Sequence, residues 1–215
     1  LSVIMILLFF GYPFLYVRLG VADTRILPKG SDSYQFFSEY QKKFNENELN
    51  PILLVVKSKK NDILSSNNIK KIYYLTKRLK QNKLIKEVNS IVTTIPELDL
   101  TAYQQLYGMP PSSLNKKLKK LLTLTTGNNF TVINIVSRYD INSLHTKNLV
   151  AQLRKMHISN RLTLNLTGTP VNNIDVLHSI AHAFFYAIIW IILLTYFILL
   201  LLLRSLFLPL KAIIV

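Results

Sequence analysis

The sequence predicts an α+β membrane protein in which transmembrane helices flank a hydrophilic α+β domain. Apolar runs at residues 1–19 and 183–203 enclose the hydrophilic stretch, and a third apolar run begins at Leu206. The second run carries no charge and has the length of about 20 residues that a helix needs to cross the hydrocarbon layer. Between the runs, short β-branched segments alternate with segments of helical spacing.

The predicted organisation has four parts. Residues 1–20 form a first transmembrane helix and residues 176–204 a second one. An outer domain at residues 21–175 lies between them, and residues 205–215 begin a third transmembrane helix. Because the chain starts and stops inside apolar runs, we expect it to be a piece of a longer protein.

The turn after the second apolar run predicts the orientation. It consists of Arg204 and Ser205, with Lys211 close behind. Short loops that carry Lys or Arg stay in the cytoplasm, whereas long loops cross largely regardless of their charge. The domain at residues 21–175 is therefore predicted to be extracytoplasmic.

The charge is +15, and the chain has no cysteine. A basic domain can contact nucleic acid or an anionic membrane. No aromatic-plus-basic RNA-binding motif or helix-turn-helix pattern is present, so no nucleic-acid partner is predicted and a solvated basic surface is the preferred interpretation. The lack of cysteine excludes disulfides, thiol catalysis and Cys-ligated zinc.

The first half of the outer domain predicts two helices and two strands. Ser31 to Ser33 can cap a helix from Tyr34 to Phe44. Ile52–Val56 is apolar on both faces, as in a central strand. Helical spacing of apolar residues predicts a helix at residues 68–84, and residues 88–92 form a second strand candidate.

The second half begins with a stretch at residues 94–127 that prolines interrupt. A basic helix is predicted there at residues 112–124. Residues 130–136 predict a third strand that is apolar on both faces, and residues 142–157 predict a helix. Leu162–Thr167 alternates between apolar and polar residues, which is typical of a half-buried strand.

The order strand, helix, strand, strand, helix, strand predicts a ferredoxin-like (βαββαβ) domain. Its first and third strands are central in the sheet, and these are the two that are apolar on both faces. Since the helices of such a domain cover one face of the sheet, we expect another subdomain or subunit to cover the second face.

Both ends of the outer domain resemble the MMPL branch of the resistance-nodulation-division (RND) transporters. In that family a Gly-x-Pro leads from the last strand, an Asp opens helix two, and an Arg-Ser turn followed by Pro leads into helix three. The matching residues here are Gly168, Pro170, Asp175, Arg204, Ser205 and Pro209. After the first apolar run, Leu27, Pro28, Ser31 and Phe44 match as well, although Asn45 stands where a Gly often follows.

The resemblance implies export of lipids or other hydrophobic molecules, driven by the proton-motive force, from a multi-pass protein of the bacterial inner membrane. The outer domain would be its porter domain. No enzyme activity and no cofactor are implied. The partners would be membrane lipid, a hydrophobic or lipid substrate, the rest of the same polypeptide, and a homo-oligomer or accessory export proteins.

The chief alternative is a membrane-anchored sensor with two flanking helices and an extracytoplasmic ligand domain. The third apolar run argues against it, because a sensor would continue with a polar signalling helix. A second alternative is a membrane-anchored hydrolase, but the sequence contains no recognisable nucleophile motif. In the family that the chain resembles, the carboxylates that relay protons lie on a later helix, so no residue of this chain is assigned that role.

Asp175, His178 and His182 recur at helical spacing and share one predicted helix face. A carboxylate and two imidazoles could bind zinc or pass protons. The preferred interpretation is a polar face at the membrane boundary, with Asp175 near a helix N-terminus, and no metal site is predicted. His145 and His157 are isolated and are predicted to lie at the surface.

Overall fold

The computed structural model describes residues 9, 12, 27–43, 46–59, 62–110 and 113–204. The predicted transmembrane segments at residues 1–20 and 205–215 therefore lie outside the described residues, apart from two isolated positions. The chain divides into two compact units, one formed by Ala22–Ile174 and one that includes the chain from Asp175 onward.

The described residues form seven helices and four strands. In chain order they are α1 (Asp32–Lys43), α2 (Glu46–Leu49), β1 (Ile52–Ser58), α3 (Ser66–Lys80), β2 (Ile85–Asn89), α4 (Leu100–Gly108), α5 (Lys116–Thr125), β3 (Phe130–Ser137), α6 (Leu144–Arg154), β4 (Leu162–Thr167) and α7 (Thr169–Leu203).

The four strands form one antiparallel sheet in the order β2-β3-β1-β4. The prediction that the first and third strands are central is thereby confirmed. Leu54 of β1 lies opposite Ile133 of β3 on one side and Leu166 of β4 on the other. Since cross-strand partners share a face, these side chains form one apolar band across the sheet.

Helices α3 and α6 cover the same face of this sheet. Leu54 and Ile133 are fully buried on that face, and apolar residues of both helices join them in one core cluster. Polar side chains also connect these two helices to the ends of the strands. Asn68 of α3 donates to Ser58 Oγ at the end of β1 (3.5 Å), and Thr146 of α6 lies 2.8 Å from Ser137 Oγ at the end of β3.

The structure corrects several predicted boundaries. Helix α3 ends at Lys80, not at residue 84, because Asn82 turns the chain and its side chain accepts from Leu84 N at 3.0 Å. The second strand is Ile85–Asn89 instead of residues 88–92. Buried Ile91 belongs to the following turn.

Helix α6 is also shorter than predicted, since it starts at Leu144 and ends at Arg154. Its start is set by Ser143, whose side chain accepts from Thr146 N at 3.1 Å. The predicted helix at residues 34–44 is α1, and Ser31 Oγ accepts from Tyr34 N at 3.2 Å as a cap.

Two helices, α4 and α5, separate β2 from β3, where only one helix, at residues 112–124, was predicted. Helix α4 was not predicted at all. Helix α5 begins at Lys116, later than the predicted residue 112. Two tyrosines hold α4 to the turn after β2: Tyr107 donates to Ile91 O (2.5 Å) and Tyr103 donates to Ile95 O (2.7 Å).

The second face of the sheet is partly covered by this insertion. Leu121 and Thr125 of α5 line a cavity of about 170 Å³ together with Val132 and Asn134 of β3. Next to them, Val55 of β1 is half-buried. Part of the cover that was expected from another subdomain or subunit thus comes from the domain's own helix α5.

Candidate functional site

The junction between the sheet and the apolar helix consists of one residue, Gly168. It lies between β4 and α7 with φ +106°, a conformation that residues with a Cβ rarely adopt. A Cβ at this position would overlap the carbonyl oxygen of Pro51 and would lie 3.3 Å from Leu53 N. Glycine therefore lets the backbone turn from strand to helix directly against the start of β1.

The first turn of α7 is anchored in the domain core. Pro170 and Val171 are buried there. A proline fits the first turn of a helix because its missing N–H has no partner within the helix at that position. Asn173 then donates to Asn142 Oδ1 at 3.5 Å, in the loop before α6.

Asp175 does not open a helix, so the expected position near a helix N-terminus is wrong. Helix α7 begins at Thr169, and Asp175 lies beyond its first turn. The favourable effect of the helix dipole falls off within that turn. The Asp175 side chain is exposed on the helix surface.

The helix brings the two predicted histidines together. The ring centroids of His178 and His182 are 6.3 Å apart with 23° between the ring planes, and His182 lies 5.3 Å from the ring of Tyr186. Imidazoles can exchange protons near neutral pH. Within the described part of the chain, no group of three or more His, Cys, Asp or Glu side chains could hold a metal ion.

The remainder of α7 is long and apolar enough to cross a membrane by length and composition. The whole helix has 35 residues, which corresponds to about 52 Å against a hydrocarbon thickness of about 30 Å. It ends where Arg204 takes a left-handed conformation (φ 49°) and donates its N–H to Leu200 O at 2.9 Å. The predicted motif residues Ser205 and Pro209 lie outside the described residues.

A cleft of about 680 Å³ opens on the outer domain between α5 and the segment after β1. Its apolar wall is formed by Ile63, Leu64, Leu114 and Leu122, and Lys119 lines it as well. The sequence did not predict this cleft, because the cleft forms where the segment after β1 lies beside α5, and no pattern along the chain shows which segments become neighbours. Within α5, Leu118 is buried and Leu122, four residues later on the same side of the helix, lines the cleft.

The isolated histidines lie where they were predicted. His145 and His157 are both exposed. The ring of His145 packs at 4.2 Å from that of Tyr139, and His157 Nδ1 lies 3.1 Å from Lys155 O. Neither is close to the cluster of His178 and His182 in sequence, and nothing in their contacts indicates chemistry.

The MMPL family, compared as a sequence model, matches residues 25–215. No curated protein matches the chain. The match covers the outer domain and the apolar helix, and it confirms the resemblance that the residues at both ends of the outer domain indicate. The chain therefore belongs to the MMPL family, whose members are membrane transporters.

Proposed function

We propose that this chain is part of a transporter that exports lipids or other hydrophobic molecules across the bacterial inner membrane, driven by the proton-motive force. Residues 21–175 would be its extracytoplasmic porter domain, with a ferredoxin-like sheet. Residues 1–20, 176–204 and 205–215 would be transmembrane segments. The antiparallel strand order β2-β3-β1-β4 supports the ferredoxin-like assignment.

One observation carries the proposal. A single helix, α7, starts immediately after the last strand of the outer domain and continues through the uncharged run Ala183–Leu203. Strand β4 is thus followed by Gly168 and then by one continuous helix that contains the apolar segment. This continuity supports a domain that takes part in transport together with the membrane segment that follows it.

The cleft beside α5 supports a hydrophobic substrate. Leucine and isoleucine side chains form part of its wall, and Asp62 and Lys119 add one charge of each sign. Binding sites for hydrophobic ligands combine an apolar wall with a few polar groups that set orientation. We propose that Leu122 lies on the substrate path through the outer domain, within one polypeptide or in a homo-oligomer.

Transport can be measured with the intact protein in inverted membrane vesicles, using a fluorescent lipid and an imposed pH gradient. Lipid movement should require the gradient and stop when a protonophore is added. Leu122→Gln should reduce the rate by about tenfold, because a polar amide in an apolar wall costs roughly 1–3 kcal/mol. Leu124→Gln, on the same helix but 74% exposed, is the matched control and should have little effect.

Gradient-independent movement would contradict the proposed energy source. Equal rates in Leu122→Gln and Leu124→Gln would remove the cleft from the substrate path.

The same assay tests the polar face of α7. We propose that Asp175 is positional, so Asp175→Asn should slow export only modestly at equal protein abundance. Residual export that a protonophore abolishes is the expected result. Complete loss of export at normal abundance would place part of the proton path on the face formed by Asp175, His178 and His182.

A further inference from the structure

Acidic residues are sparse in the outer domain, and long stretches of it contain none. Between Asp62 and Glu87 there are seven Lys and Arg residues and no Asp or Glu. Between Asp140 and Asp175 there are four Lys and Arg residues and again no Asp or Glu. The first segment contains α3 and the second contains α6 and β4.

The fold places these two segments next to each other. Helices α3 and α6 lie on the same face of the sheet, and polar side chains connect the two segments. Asn82 donates to Gln152 Oε1 at 3.2 Å. Lys71 Nζ donates to Ser159 Oγ at 3.1 Å. Hydrogen bonds to neutral groups thus bridge the two segments, and the outer surface of the helix layer is cationic.

Two adjoining cavities form a groove in this surface. One, of about 500 Å³, is lined by Arg78 and Lys155, and the other, of about 380 Å³, by Lys59 and Arg154. They meet at His157, which lines both. Among the described residues that line either cavity there is no Asp or Glu. We call the set Lys59, Arg78, Arg154 and Lys155 the cationic groove.

The helix dipole accounts for only part of this arrangement. Arg78 and Arg154 lie in the last turns of α3 and α6, where a cation gains about 0.3–1 kcal/mol. Lys59 follows a strand and has no such helix end. Lys70 lies in the N-terminal half of α3, where the dipole offers it no stabilisation. Cations that lie close together repel one another, and an anionic ligand in the groove would lower this repulsion.

The shape of the groove and the side chains that line it limit the classes of partner that can bind there. A groove fits a linear polyanion better than the plane of a bilayer. Single-stranded nucleic acids are held by aromatic side chains on which bases stack, and no Phe, Tyr or Trp is among the described residues that line the groove. Arginine forks match phosphate oxygens in a bidentate way. We propose that the cationic groove binds a linear polyanion that carries phosphate groups but no bases.

The proposal goes beyond transport and is tested by binding alone. The full chain in detergent micelles is titrated with fluorescein-labelled inorganic polyphosphate, and anisotropy is followed at several salt concentrations. The groove variant is R78Q/R154Q/K155Q. Its matched control is K116Q/K117Q/K120Q, which removes the same charge from exposed positions of α5.

The groove variant should bind at least about tenfold more weakly, since each charged contact to phosphate is strong. The slope of log affinity against log salt should fall by about 2, because each lost contact contributes about 0.7. The control should change the affinity by less than about threefold, because its lysines lie outside the groove. A second measurement uses the wild-type protein and so does not depend on the folding of a variant. Polyphosphate should protect Lys155 of the wild type from acetylation and leave Lys116 reactive.

Four results would overturn the proposal. Equal losses in the two variants would mean that net charge alone attracts the probe. Equally tight binding of polyaspartate would exclude phosphate recognition. Tighter, groove-dependent binding of oligouridylate would identify a nucleic-acid site. Groove-dependent binding to vesicles with anionic lipid that is as tight as binding to polyphosphate would identify a membrane contact instead of a polymer.

Discussion

Gly168 is the residue whose backbone conformation is least replaceable in the described part of the outer domain. Its positive φ and its approach to Pro51 both exclude a side chain. The buried Pro170 that follows fixes the first turn of α7. The match of these two positions to the family pattern thus has a local physical cause, which is the short turn from β4 into α7.

Gly168→Ala should lower the free energy of unfolding of the outer domain by about 2–4 kcal/mol, since a strained φ alone costs of order 1–3 kcal/mol and the Cβ adds a clash. Gly108→Ala is the control, because no atom lies within 4 Å of a Cβ there. Proteolysis as a function of urea measures the difference. If both variants resist protease equally, the described junction is incorrect.

Two buried tyrosines fix helix α4. Burial raises the pKa of Tyr107 far above its ordinary value, and the neighbouring Tyr103 adds to the shift. Burial also raises the pKa of Tyr103, against the lowering effect of its hydrogen bond to Ile95. As pH rises, the unfolded chain loses these protons first, at about pH 10. The stability from the tyrosines is therefore fully present below about pH 10 and is lost at higher pH.

Tyr107→Phe should cost about 1–2 kcal/mol at pH 7, because Ile91 O loses its buried donor. Above about pH 10, the variant should lose stability less steeply than the wild type. Urea unfolding between pH 7 and 11.5 measures both effects. Tyr74→Phe, at a side chain that is 54% exposed, should change stability at pH 7 by less than about 0.5 kcal/mol. Parallel pH profiles for wild type and Tyr107→Phe would contradict the buried hydrogen bond.

At the scale of elements, the sheet has faces of unequal burial. Ile135 is fully buried on the face that α3 and α6 cover, whereas Val55 on the other face is half-buried. Thr163 on the edge strand β4 is exposed. The difference arises because the inserted helix α5 reaches β3 but leaves β4 open.

Substitution of Asp for Ile135, Val55 or Thr163 should lower the stability of the domain more, the more deeply the position is buried. Ile135→Asp should cost more than about 4 kcal/mol and unfold the domain, because an unpaired charge would be buried. Val55→Asp should cost about 1–3 kcal/mol, and Thr163→Asp less than about 0.5 kcal/mol. Protease sensitivity gives the ranking. Equal sensitivity of all three variants would contradict the strand assignment.

The spacing of apolar residues along the chain identified the elements that each pack against one neighbouring element. Strands β1, β3 and β4 were predicted within one or two residues because their apolar patterns match the central and edge positions. The second strand was misplaced because Ile91 and Val92 continue its apolar character into a turn that Thr93 closes on Ser90. Helix α4 was missed because its stability comes from Tyr103 and Tyr107, whose hydrogen bonds to distant carbonyls have no pattern along the chain.

For the candidate site, the sequence predicted the identities of Gly168, Pro170 and Arg204 but not their geometry. The start of α7 at Thr169 could not be inferred, since hydropathy marks only the apolar part of a helix. The cleft and the cationic groove depend on which elements become neighbours. The basic residues were visible in the sequence, but only the packing of α3 beside α6 brings them to one surface.

At the scale of the whole molecule, family membership and the apolar part of α7 make this a membrane protein with a large hydrophilic domain. The left-handed conformation of Arg204 ends the helix sharply. Short loops that carry Lys or Arg stay in the cytoplasm, and the sequence predicts such a loop at Arg204 and Ser205. The outer domain is therefore proposed to be on the opposite side.

Reporter fusions test this orientation. An enzyme that is active only outside the cytoplasm should be active when fused after Asn128, in the loop between α5 and β3, and silent when fused after Ser205. Protein abundance measured with an antibody to the reporter is the control. The reverse pattern of activity would refute both the orientation and the proposed export.

The order of the strands in the sheet also determines when the sheet can form during synthesis of the chain. Strand β1 is made early, yet its two partners, β3 and β4, are among the last parts of the outer domain to leave the ribosome. The sheet cannot close until Thr167 has been synthesised, and the very next segment is one that the translocon would take up. The unfinished sheet would expose its apolar first strand until β3 and β4 have been synthesised. If the domain folds outside the cytoplasm, as proposed above, we predict that a chaperone on that side shields β1 until β4 arrives.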